Sequence, residues 1–118
     1  MNTGEERLYD LSMIEDMAMG DEAFMKELAE TFISSVPPVV ESMVEACKNK
    51  DWKTMGDEAH SLKSNIETLQ IASIKADIRT IEANGKYQIE LEETPAIVEK
   101  VAAVLTKAMQ QIKEQYHL

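Results

Sequence analysis

The chain has 118 residues and a formal net charge of −10, enough for one domain with its own core and too acidic to suit nucleic acid or an anionic membrane. Cys47 stands alone, so no intrachain disulfide can form and a reducing compartment fits best. The opening "MNTGEERLYD" has no apolar core of a secretory signal, and no apolar run approaches a membrane span; a cytoplasmic protein of one domain, residues 1–118, is expected.

The apolar pattern is helical throughout, and no segment alternates long enough to read as a strand. Leu11, Ile14 and Met17 mark a short first helix, with Asp10 or Ser12 as its cap. "GDEAFMKELAETFISS" opens a second, capped by Asp21, with Phe24, Leu28 and Phe32 as its stripe. Pro37 and Pro38 should make that helix kink or restart, after which Val36, Val40, Met43, Val44 and Cys47 continue one face.

Asp51 caps a third helix, about 52–69, whose stripe is Trp52, Met55, Ala59, Leu62, Ile66 and Leu69. Ile71, Ile74, Ile78 and Ile81 form the stripe of a fourth, closed by Asn84 and Gly85. "KYQIELEE" reads as a loop. Thr94 caps the last helix, Pro95 occupies its first position, and Val98, Val101, Leu105, Met109, Ile112 and Tyr116 line it, widened by Ile97, Val104 and Ala108. Short links between amphipathic helices make the expected fold all-α: an up-down antiparallel four-helix bundle with a short additional N-terminal helix. The eight methionines read as core filler.

The string "DEAH" at 57–60 is also the label of a helicase motif, but no phosphate-binding loop G-x-x-x-x-G-K-[ST] exists here. His60 is better read by its place on the third helix. It lies roughly 130° from the centre of the apolar stripe, outside a core-facing sector. Gly56 is one turn before it, Lys63 and Ser64 one turn after, and Glu67 two turns after. Glycine inside a helix costs about 1 kcal/mol against alanine, and room for another molecule is one candidate for what offsets it. An exposed imidazole is largely neutral at cellular pH and nucleophilic. Lys63 can lay its stem along the stripe and bring its ammonium to the imidazole, where a cation stabilises arriving negative charge. This suits a phosphoryl acceptor. A hydrolase is a poor fit, since the pattern shows no serine or cysteine set up with His60 as an activated nucleophile. A metal site is also a poor fit: the other histidine, His117, lies in the tail, and Cys47 belongs to a core stripe.

At these residues the chain resembles the histidine-containing phosphotransfer (HPt) domains of bacterial phosphorelays. The family's frame A-H-x-L-K-G-S, followed by spaced apolar positions and ending in L-E, runs without a gap along "AHSLKSNIETLQIASIKADIRTIE", residues 59–82. Ala59, His60, Leu62 and Lys63 match it directly, and Leu69, Ile74, Ile81 and Glu82 take the later positions. Ser64 replaces the glycine after the lysine. Gln70 replaces the glycine at the turn leaving the histidine helix, so the fourth helix either starts near Ile71 or is capped by Ser73.

The resemblance implies a monomeric phosphocarrier and not an enzyme. His60 would accept a phosphoryl group on Nε2 from a receiver-domain aspartate and relay it to another receiver, with Lys63 balancing its charge. The implied partners are receiver domains of response regulators or hybrid histidine kinases. The chain itself would need no cofactor, magnesium being expected from the receiver. Docking would use Gly56, Ser64 and Glu67 beside His60, with Gly56 and Ser64 leaving clearance, and an exposed apolar fringe of the second helix around Met25 and Ala29. A helical adaptor that only sequesters a receiver or kinase is the alternative.

Overall fold

The computed structural model describes residues 6–118, and every regular element among them is helical. These are α1 (Ser12–Ala18), α2 (Glu22–Lys48), α3 (Trp52–Thr68), α4 (Lys75–Tyr87) and α5 (Thr94–Gln115), with a 3-10 turn at Ala72–Ile74 before α4. α3 packs on both α2 and α4, and α5 closes the ring against α2 and α4; α1 lies against α2. Four long helices therefore enclose one core, a four-helix bundle with α1 added at its edge.

Side chains start two of the long helices as the residue types predict. Asp21 accepts hydrogen bonds from the amides of Ala23 and Phe24, and Asp51 accepts one from Thr54, which satisfies donors that a helix start leaves unpaired. Thr94 is not a cap. Its buried hydroxyl donates to the Glu90 carbonyl at 2.8 Å and accepts from Asn84 Nδ2 at 3.1 Å, tying α4 to the start of α5. Thr94→Val is expected to cost about 1–3 kcal/mol, because it leaves the buried Asn84 amide without its acceptor; a urea melt measures it.

The apolar stripes of α3, α4 and α5 bury largely as their spacing predicts. Met55, Ala59, Leu62, Ile66 and Leu69 of the α3 stripe face Ile71, Ile74, Ile78 and Ile81, and Val101, Leu105, Ala108 and Ile112 complete the centre. α2 differs. It runs unbroken through Pro37 and Pro38. Both prolines are exposed, so the carbonyls that lose a donor can turn to water, while Val36 and Val40 are buried on either side and hold the helix by packing. The first half of α2 also presents another face than expected. Met25 and Ala29 are only 6% and 4% exposed, whereas Phe24 is 40% exposed. The reason is α1, which brings Leu11 and Ile14 over that end of the bundle beside Met25, Ala29 and Ile112. Met25 and Ala29 are thus core and not an exposed fringe. In α1 itself the buried side chains are Ile14 and Ala18, and Met17 points outward.

The turn after α3 explains Gln70. Its φ is 49°, in the left-handed region. The Ile71 amide bonds the Ile66 carbonyl at 3.0 Å and the Gln70 amide bonds that of Glu67 at 3.2 Å, the paired bonds of a Schellman turn. Ser73 caps nothing; it lies in the 3-10 turn that leads into α4. The Gln70 side-chain amide donates to the Asp10 carbonyl at 3.2 Å and to Ser12 Oγ at 3.3 Å, both exposed. Gln70→Gly removes a left-handed penalty of about 1–2 kcal/mol and loses two weak surface bonds. A net gain of about 0.5–1 kcal/mol in a urea melt is expected. A loss would mean that the Gln70 link to the N-terminal segment dominates.

Candidate functional site

The seam between α3 and α4 is antiparallel, as its cross-links show. Going up α3, Gly56 meets Gly85, His60 and Lys63 meet Glu82, and Glu67 meets Arg79. As the α3 number rises, the α4 partner falls, so side chains 22 residues apart in sequence share one turn of the interface.

His60 is exposed, its side chain 67% accessible. Its Nδ1 lies 2.5 Å from Glu82 Oε2. The same carboxylate accepts from Lys63 Nζ through Oε1 at 3.0 Å. Lys63 therefore rests on Glu82, not on the imidazole as the α3 spacing alone suggests. Burial pushes the Glu82 carboxyl up, but the hydrogen bonds from His60 and Lys63, together with their charges, outweigh it and hold it below the usual range. An ionised carboxylate can only accept, so Nδ1 carries the ring proton. In a neutral imidazole that leaves the lone pair on Nε2, which no hydrogen bond engages among the described residues. Sequence reasoning placed Glu82 in a family motif and gave it no role. Its position as an acidic residue directly after the buried Ile81, on the flank of α4, was the available signal.

The other predicted residues divide. Ser64 is exposed one turn beyond His60, its hydroxyl turned back to the Ser61 carbonyl at 3.5 Å. Glu67 is engaged by Arg79 at 3.1 Å, a cation that sequence reasoning did not single out. Gly56 is not a clearance position. It is buried in the α3–α4 contact, where an added Cβ would meet the Glu82 carbonyl oxygen at 3.4 Å and Gly85 Cα at 3.5 Å. Its lack of a side chain serves the neighbouring helix of the same chain. Gly85 correspondingly does not end α4, which continues to Tyr87 and stops at Gln88 in the left-handed region. Met25 and Ala29, being buried, take no part in this surface.

A family model, the Hpt domain, matches residues 27–115. The chain belongs to the Hpt domain family. The match begins inside α2, spans α3 and α4, and ends with α5. Hpt domains are phosphocarrier modules of two-component phosphorelays and not kinases; they carry phosphoryl groups on histidine and interact with receiver domains and kinases. Neither a search of curated proteins nor one of solved structures gave a match. No helix of this Hpt domain, among the described residues, is long and apolar enough to cross a membrane.

Proposed function

We propose that this Hpt domain accepts a phosphoryl group on His60 Nε2 from the aspartyl phosphate of a receiver domain and passes it to another receiver. The observation that carries this reading is the Glu82 carboxylate on Nδ1 of an exposed imidazole. It leaves the outward nitrogen as the nucleophile.

In the transfer, the Nε2 lone pair forms the N–P bond as the acyl-phosphate O–P bond breaks and the receiver carboxylate leaves. No proton has to leave Nε2. The ring becomes cationic as the bond forms, and Glu82 balances that charge through the Nδ1 hydrogen bond. Lys63, tethered beside it, balances the negative charge brought by the phosphoryl oxygens. The partner supplies the phosphoryl donor and any magnesium. The long helices α2 to α5 form an up-down antiparallel bundle acting as a monomer in the cytoplasm, and its docking surface is the seam around His60, Ser64 and Glu67.

The test is incubation with a phosphorylated receiver. Phosphate that is labile in acid and stable in base must appear on this chain at His60. A stable complex without transferred phosphate would instead identify a sequestering adaptor.

A further inference from the structure

The two glycines at the α3–α4 seam face each other one turn from the site. An alanine Cβ at Gly85 would lie 2.7 Å from the Trp52 carbonyl oxygen, 2.9 Å from Gly56 Cα and 3.0 Å from Gly56 N. All three are backbone atoms of α3, which cannot swing aside as a side-chain tip can. At Gly56 the demand is milder: the nearest atoms would be at 3.4 and 3.5 Å, ordinary contact. Each glycine costs its helix about 1 kcal/mol against alanine, so the close approach must supply something. Glu82 lies three residues before Gly85, and His60 four residues after Gly56. The contact and the His60–Glu82 hydrogen bond are thus neighbours along the same seam.

We propose that Gly85, closing on Gly56, is a positioning residue. It holds α4 near enough to α3 for the Glu82 carboxylate to reach His60 Nδ1 and Lys63 together, and so fixes which ring nitrogen is bare. A methyl group at Gly85 forces the helices apart by a distance comparable to the margin between a hydrogen bond and none. The core around Ile74 and Ile78 can stay closed, since these buried side chains lie about two turns or more from Gly85. The catalytic meaning of this positioning rests on the function proposed above, but the geometry does not.

The experiment reads the imidazole nitrogen shifts of His60 in the full unphosphorylated chain, labelled with 15N, alongside far-ultraviolet helicity. The chain as it stands should show a protonated Nδ1 and a bare Nε2. Gly85→Ala should keep its helicity and move the tautomer ratio about tenfold toward that of Glu82→Ala, the loss expected for a hydrogen bond to a charged group. Gly56→Ala should keep the parent pattern, and Gly56→Val, pressing on the same contact from α3, should shift it as Gly85→Ala does. A folded Gly85→Ala or Gly56→Val with the parent tautomer overturns the proposal. Failure of both to fold also overturns it, because the contact would then serve the bundle and not the site. The readout needs no receiver, so a failed phosphotransfer assay leaves this result standing, and a parent tautomer in the variants leaves the assignment of His60 standing.

Discussion

His60→Gln should reduce phosphate transfer from a phosphorylated receiver to background while leaving helicity and melting behaviour close to those of the parent chain. The loss is complete because an amide has no lone pair of comparable nucleophilicity. The fold survives because the His60 side chain is largely in solvent and fills no part of the core; the contact it loses is the one to Glu82, and glutamine can offer that carboxylate an N–H in return. The competing acceptor is His117, exposed in the turn after α5 with no acidic partner holding its ring among the described contacts. Labelling should therefore be unaffected by His117→Gln. Full labelling of the His60 variant, or its loss in the His117 variant, would move the acceptor to the tail.

The residues show what a linear pattern can and cannot carry. The outward place of His60 was legible because exposure on one helix is a matter of angle, and Met55, Ala59, Leu62 and Ile66 define that angle within two turns on either side. The stripes of α4 and α5 were legible for the same reason. The carboxylate on its Nδ1 was not, because Glu82 reaches His60 only through the antiparallel register of two helices, which no local spacing encodes. Gly56 and Gly85 were misread by a related failure. Glycine has several uses, as a helix stop, as clearance for a partner and as a point of close approach between backbones, and only the partner atoms at 2.7–3.0 Å from a Cβ on Gly85 decide among them. Met25 and Ala29 were placed by analogy on a surface that α1 covers in this chain. Gln70 is the reverse case. Its place in the family frame is a glycine, and the backbone keeps the left-handed conformation that a glycine would adopt without strain.

Glu82→Ala is expected to slow phosphoryl acceptance by about tenfold or more, the effect of removing a hydrogen bond to a charged group. Two consequences follow from the shared carboxylate. Nδ1 loses the partner that keeps the proton on it, so part of the population presents a protonated Nε2 that cannot attack. Lys63 loses its tether at Oε1 and is free to follow the phosphoryl oxygens. Once formed, the phosphorylated variant should therefore outlive the parent form, because Lys63 attends the phosphate and the ring no longer has a carboxylate favouring its protonated state, the better leaving group. Slower gain with slower loss separates Glu82 from a residue that merely supports the fold, whose removal would speed loss. Glu82→Gln keeps an acceptor for Nδ1 without the charge and should fall between the two. The pH dependence of stability gives an independent check. The Glu82 carboxyl is held below its ordinary value in the folded chain, so its contribution is present above the unfolded value of about 4.3 and is lost as pH falls through the folded one. The stability difference between the parent chain and Glu82→Gln should hold near neutrality and shrink toward about pH 3; a difference independent of pH across that span would mean that the carboxylate charge does not hold His60 and Lys63 in place.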